Sequence, residues 1–527
     1  MGMSADKING ISLHSKYNPQ REARRYVESQ NIVNSPGVFV LIEPAEGYLS
    51  EHLLNMYSKA LVLELHCVPG FYRNAIPSRL YSWDPGGTVP LKTFLSQHIS
   101  EYDTGIIKII EWPPSKAAFG SLYDGILHTV FSYLQDKRAG IHTTGKFGHR
   151  WLYNVFRRVL SLSSCSSPAR EHRPILIAAS GPSLTAVLPF VKKIRSELSV
   201  WALPSSMLHL SRQGIIPDLV IHTDPGYYAG YHIRPSVLSS VPVASPLTAA
   251  VPVSGIPPLL LNTKTPIEQF FIRTLDIPSA DAISHGTVAG TALHLALSLG
   301  TNAVFFAGLD LEFNDIVGHC RPHTFDSLFC SRADRLSPLT HIYYSRSPRA
   351  ELRSDGDIQS GKNFSLQRYS EWFAELSAEV RGRVYRVFPS HSKIPAFIDI
   401  LSGPDFSDTV HDFYQLSHSA YPSESSSESS GACTSIDLRS RKRSLSAYIT
   451  AIKEQHIRLC QKDTDIAEMP LLEEFVSFTC FSELFRLNQA SWNHGSRLKN
   501  ADTKKLCSCI LRAIDQLQIL IRTAGAE

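Results

Sequence analysis

The 527-residue chain is short of several features, and each shortage closes a line of interpretation. No run of about 18 consecutive apolar residues occurs, so a transmembrane helix is not expected. Charge of neither sign dominates: 52 Lys and Arg against 48 Asp and Glu leave a formal charge of +4. A surplus that small provides no bulk attraction for nucleic acid. The nine cysteines include no CxxC pair, and the CxC at Cys507 and Cys509 lacks partners at zinc spacing. The odd cysteine count and the polar start "MGMSADKINGISLHSKYNPQ", which has no signal-peptide core, predict a reducing, cytoplasmic setting. GxxxxGK[ST] is absent, and no GxGxxG follows a strand-like run, so neither common polyphosphate cradle is encoded.

Hydrophobic residues at 43% and charged residues at 19% supply core material for two or three domains. Residues 1–150 carry the strand-like runs "GVFVLIE" and "ALVLELH" around a segment of helical spacing, and read as an accessory α/β domain. Residues 151–416 hold six further strand candidates: "PILIAAS", "SVWALPS", "PDLVIHTD", "VPVAS", "PPLLLN" and "NAVFFAG". Strands apolar throughout, alternating with helical patterns, predict a Rossmann-like, doubly wound parallel sheet covered on both faces. Its ligand site is expected outside the carboxyl ends of the strands. Residues 417–444 are serine-rich, end in "RSRKR" and read as a flexible, solvated linker. Residues 445–527 read as a helical domain, a scaffold or docking surface.

The polar candidates cluster at strand ends. "SGPSL" follows the first central strand, "HTDPG" (222–226) the third and "GLDLEF" (308–313) the last, while "SHGTVAG" (284–290) opens the preceding helix. Gly181 permits close backbone approach, and Pro182 or Ser183 can begin a helix with free N–H groups. Such a terminus favours an anion by roughly 0.3–1 kcal/mol, enough to seat one phosphate or carboxylate. Two DxD triplets, Asp355/Asp357 in a turn and Asp463/Asp465 in the helical tail, are not expected to bind metal. "GHCRPHTFD" (318–326) holds His319 and His323, four apart. Pro322 between them argues against a helical zinc pair and leaves one histidine as a general base.

The motifs "SLHSKYNPQREARRYV" (12–27), "ASGPSL", "GIIPDLVIHTDP" (214–225), "SHGTVAGTALHLALSLG" and "AGLDLEF", in this order, resemble the motility accessory factor (Maf) family of flagellin glycosyltransferase-like proteins, part of the MptE-like superfamily. The resemblance covers residues 12–400. The central region is also similar to bacterial sialyltransferases that use CMP-sialic acid, a GT-A variant, through Gly181–Leu184, Gly286 and Gly308–Asp310. The resemblance implies an inverting, metal-independent transfer of a nonulosonic acid (sialic, pseudaminic or legionaminic type) from a CMP-sugar to a flagellin Ser or Thr, supporting flagellar assembly and motility. The CMP-sugar is a substrate, and no cofactor is implied.

Carried over residue by residue, Gly181, Pro182, Ser183, Ser205, Ser206, Asp224, Ser284, Gly286, Thr287 and Asp310 would bind the donor. His323 would be the base, with His319 second. Two departures stand out: "ISHGTVAG" lacks the tyrosines that sialyltransferases place there, and the first region has "IEPAEGYL" where the family often has a glycine-rich turn. Two other functions share these motifs, a 6-hydroxymethylpterin pyrophosphokinase-like enzyme using ATP and magnesium and a non-catalytic flagellin-binding assembly factor.

Overall fold

The computed structural model describes residues 7–523 apart from 31, 33–35, 59, 70–78, 100–106, 239, 253–254, 283–285, 315, 348–359, 362–363, 375, 388–393, 395–396, 401–402, 421–432, 462–468 and 481–499. The chain divides into two compact units. Unit 1 is Met1–Gly148, His456–Asp465 and Phe475–Asp515; unit 2 is His149–Gln455, Ile466–Glu474 and Gln516–Glu527.

Unit 1 contains β1 (Val38–Ile42), β2 (Leu61–Leu65), β3 (Leu80–Trp83) and β4 (Ile107–Glu111), all parallel, in the order β3-β2-β1-β4. Alternate residues of β1 enter two separate cores: Val38, Val40 and Ile42 pack on one face, Phe39 and Leu41 on the other. The period-two side-chain direction of a strand requires this division, and it explains why β1 is buried throughout. At the carboxyl ends of these strands Glu43, Glu64 and His66 are all buried. His66 Nδ1 lies 3.1 Å from Glu43 Oε1, and its Nε2 lies 3.8 Å from Glu64 Oε2. Burial alone would lower the His66 pKa, but the two carboxylates overcome it and raise the pKa to about 9.

Unit 2 is built on β5 (Ser164–Ser166), β6 (Ile175–Ala178), β7 (Ser199–Ala202), β8 (Leu219–Ile221), β9 (Val243–Ser245), β10 (Leu259–Asn262), β11 (Ala280–Asp281), β12 (Val304–Ala307), β13 (Phe313–Asn314), β14 (Ser360–Gly361), β15 (Val384–Val387), β16 (Ile398–Ile400) and β17 (Cys433–Ser435). The large sheet runs β16-β15-β12-β6-β7-β8-β9-β10-β5-β17, with β11 beside β10 and β13 paired separately to β14. All pairings in the large sheet are parallel except β17 against β5. From β6 the chain winds outward through β7, β8, β9 and β10, then returns to place β12 on the other side of β6. The order reverses between β6 and β12, and a doubly wound sheet leaves a crevice at such a point. Leu176 and Ala178 of β6, with Phe305 and Ala307 of β12, feed one core. Ile175, Ile177, Val304 and Phe306 feed the other. Each fully buried Leu, Ile or Phe contributes about 1.5–3 kcal/mol, so these two strands anchor the domain.

The α/β fold expected from the sequence is the fold observed. The segment 417–444 differs from a solvated linker wherever it is described. Its first residues close the helix Gly403–Ala420, Cys433–Ser435 pairs antiparallel with β5, and Leu438 opens the helix Leu438–Gln461. Arg441 of "RSRKR" is 9% exposed and donates from Nη1 to the carbonyl of Leu160. Composition counts the charge of an arginine but not its aliphatic stem, which packs readily when the head finds a carbonyl. The helices Leu438–Gln461, Pro470–Thr479 and Asn500–Thr523 follow in the carboxyl-terminal part of the chain. Among the described residues no helix is long and apolar enough to cross a membrane.

Candidate functional site

The turn after β6 and the turn after β12 meet at the crevice. The N–H of Gly181 bonds the carbonyl of Gly308 at 2.8 Å. A Cβ at position 181 would lie 2.5 Å from both that carbonyl and Asp310 Oδ2, so only glycine fits without rearrangement. Gly308, at φ +70°, meets the same demand from the other side: a Cβ there would lie 2.7 Å from the Ala179 carbonyl.

The helix Leu184–Lys193 begins here, and the anion at its start is part of the chain. Asp310 Oδ2 accepts from the Ser183 N–H at 2.9 Å, and Oδ1 accepts from the Ser183 hydroxyl. Burial raises the Asp310 pKa against the opposing effect of these bonds, and Glu312 nearby pushes in the same direction as burial. Ser183 is therefore engaged by Asp310, where the sequence pattern offered its N–H to a ligand.

A second set of groups begins at Ser180. Its carbonyl accepts from the Cys320 N–H at 2.7 Å, which ties the turn to the loop after β12. Its hydroxyl accepts from Ser205 at 2.8 Å and lies 3.0 Å from His319 Nδ1. The His319 ring stacks on His323 with centroids 4.5 Å apart and planes 9° from parallel. His323 in turn contacts His232 at 5.2 Å between centroids.

Burial pulls His323 down to about 3, helped by its two histidine neighbours. His232 falls to about 4 through burial and His319, against Asp224. His222, 1% exposed, also falls to about 4, chiefly by burial. His319 is lowered too, by the protein packed around it, although the residue is exposed. His323 is thus buried and weakly basic, whereas its neighbour His319 is exposed.

Asp326 holds the loop, accepting from the His323 N–H at 2.8 Å and from the Tyr343 hydroxyl. Tyr343 thus shares Asp326 with the His323 backbone, and the Arg321 guanidinium lies 4.1 Å from its ring centroid.

The other expected site residues divide. Ser206 is fully buried and bonds the carbonyls of Ala178 and Leu203, each at 2.8 Å, so its hydroxyl faces the protein. Asp224 is exposed and accepts from the Gly226 N–H at 2.6 Å while acting electrostatically on His222 and His232. Thr287 caps the helix Val288–Ser298, accepting from Gly290 N–H at 3.3 Å, beside exposed Gly286 at φ +71°. Pro182 sits in the turn between Gly181 and Ser183. Ser284, Asp355, Asp357, Asp463 and Asp465 lie outside the described residues. Among the described residues no group of three or more His, Cys, Asp or Glu is arranged to hold a metal ion. Sequence reasoning missed Ser180 and His232. Ser180 could have been found by its place at a strand end; His232, inside "GYYAGYHIRP", carries no motif.

Residues 152–315 match the model of the family described as 6-hydroxymethylpterin diphosphokinase MptE-like. A protein of Treponema pallidum (strain Nichols), described as uncharacterized, is 28% identical over 323 residues, 60% of this chain and 68% of the relative. The solved structure of the MAf glycosyltransferase from Magnetospirillum magneticum AMB-1 aligns over 99% of this chain and 91% of that one. Its TM-score is 0.55 at 13% identity, so this likeness is one of fold. Residues 152–315 are thus similar to the MptE-like family, and the chain shares the fold of that Maf glycosyltransferase.

Proposed function

We propose that the protein is a glycosyltransferase that moves a nonulosonic acid from a CMP-sugar to a Ser or Thr of flagellin in the cytoplasm. The observation that carries this reading is the chain Ser205–Ser180–His319 at the crevice between β6 and β12. With Nδ1–H donated to Ser180, the Nε2 of His319 is free to take a proton. The acceptor hydroxyl gives that proton to His319 as its oxygen bonds the anomeric carbon. The bond from that carbon to the phosphate oxygen breaks, CMP leaves with the electron pair, and the configuration inverts. Ser180, accepting from both neighbours, keeps its own hydroxyl proton for the leaving phosphate. Gly286, Thr287 and the helix start they form are the other contact proposed for the donor, since Asp310 already fills the helix start at Ser183. Positioning and proton transfer are the effects supplied, the latter typically worth about 10²–10⁴ in rate.

The description of the matching family favours a second reading, transfer of diphosphate from ATP to a hydroxymethylpterin with magnesium. Three incubations separate the readings: flagellin with CMP-nonulosonate, hydroxymethylpterin with ATP and magnesium, and flagellin alone. A flagellin mass gain of one nonulosonate residue without added metal supports the first. A pterin diphosphate product supports the second. Flagellin binding with neither product would show an assembly factor and refute both enzymatic readings.

A further inference from the structure

At the amino-terminal edge of the unit 2 sheet, opposite the crevice, a small cavity is lined by Arg158, Ser161, Ser163, Ser164, Val243 and Pro258 among others. Ser164 begins β5, Val243 begins β9 and Pro258 precedes β10, which places the cavity at the ends where these parallel strands start. Arg158 is 7% exposed, and its guanidinium Nε is buried without a hydrogen-bond partner. Burial pulls its pKa down to about 10. A desolvated charge without a partner is costly, and proteins almost always pair such a group.

One feature favours a cation there, and the neighbouring arginine adds nothing to it. Arg158 lies in the last turn of the helix Ser121–Ser161, where the dipole favours positive charge. A second guanidinium, Arg441, caps the same turn through the Leu160 carbonyl, and Asp437 offsets its charge in part. The dipole offsets only part of the cost of burying an unpaired ion. The balance is left for an anion.

We infer that this cavity is an anion site, in which Arg158 and the surrounding serines receive a single phosphate group. At about 30 Å³ the cavity exceeds what one water needs but does not hold a nucleotide. The guanidinium fork suits the oxygens of a phosphate, and the hydroxyls of Ser163 and Ser164 can donate to those it does not reach, while Ser161 is engaged by the Arg158 carbonyl. The phosphate is either inorganic or the end of a larger metabolite that reaches in from solvent. The site is separate from the crevice and does not depend on which reaction occurs there.

Thermal unfolding of the full chain in chloride and in inorganic phosphate, at matched ionic strength, tests the inference. The expected result is a saturable rise in Tm of about 2–4 °C with phosphate. Arg158→Met should lose that rise while matching or exceeding the wild-type Tm in chloride, because the unpaired charge is gone. Arg158→Lys should keep part of it, and His319→Ala all of it. A phosphomonoester giving a larger shift than inorganic phosphate would identify the larger ligand as the source. An equal phosphate effect in wild type and Arg158→Met overturns the inference. So does loss of the effect in His319→Ala, which would place the anion in the crevice, or an Arg158→Met variant unfolded in chloride, which would give Arg158 a structural partner.

Discussion

Ser183 gives both its backbone N–H, at 2.9 Å, and its hydroxyl to the single carboxylate of Asp310. The bond joins the exits of β6 and β12, the two strands on either side of the point where the sheet changes direction. It turns a helix start that could attract a ligand anion into a fixed corner of the crevice.

Removing that corner should be costly. Asp310→Ala leaves the half-buried Ser183 donors without their acceptor, and a loss of about 1 kcal/mol is expected. Gly181→Ala should cost a similar amount, because its methyl group would collide with Asp310 and the Gly308 carbonyl. Urea unfolding of both variants measures the loss, and a change below 0.5 kcal/mol (roughly the size of an ordinary surface substitution) would count against the corner's role.

His319→Ala should reduce transfer by about 10²–10⁴ with little change in donor affinity, as for a general base. His323→Gln should act more mildly, about tenfold, through the position of the stacked His319 ring. Steady-state kinetics on the flagellin acceptor gives both numbers. If His323→Gln proved the more damaging, the base would be the buried ring.

Ser180→Ala removes the partner of His319 Nδ1 and should lower kcat while leaving KM for the donor nearly unchanged. The acidic limb of the kcat profile should move as well, since the hydroxyl no longer selects the tautomer. An unaltered profile would make Ser180 a bystander.

The titrating histidines set a pH window for stability. His222, His232 and His323 have folded pKa values of about 4, 4 and 3, below the usual 6.5, so the unfolded chain binds protons first on acidification. Their contribution is present above about pH 6.5 and is lost as pH falls toward 4 and 3. His66 behaves oppositely: raised to about 9, its contribution is complete below about pH 6.5 and lost as pH rises through 9. Stability should therefore peak near neutrality. Denaturation from pH 4.5 to 9.5 should show the two slopes separately: His323→Gln should flatten the acid limb by about 1.4 kcal/mol per pH unit, and His66→Gln the alkaline limb. NMR titration of His66 near 6.5 would contradict the second.

Much of the architecture was legible locally. β1, β2 and the strands from β6 to β10, with β12, each announce themselves as short apolar runs, because strands covered on both faces need no polar residues. Very short strands such as β11 and β13, and β17 within the serine-rich segment, carry too few residues for a pattern, and pairing alone defines them. In the site, the residues at strand ends were visible as candidates because turns stand out from apolar runs. Their division of labour was not, because it depends on burial and neighbours. Ser206 and Ser205 are adjacent and chemically identical, yet one hydroxyl bonds carbonyls in the interior and the other reaches Ser180.

The sequence by itself determined a doubly wound α/β domain with polar turns gathered at the carboxyl ends of its strands, because side-chain alternation and turn chemistry are properties of neighbouring residues. Tertiary structure decided which of those turns touch. It brought Asp310 to Ser183 across 127 positions and His319 to Ser180 across 139, and it buried His323 while leaving its neighbour His319 exposed. Contacts at that separation follow from the order in which strands assemble into the sheet, which no local stretch of sequence encodes.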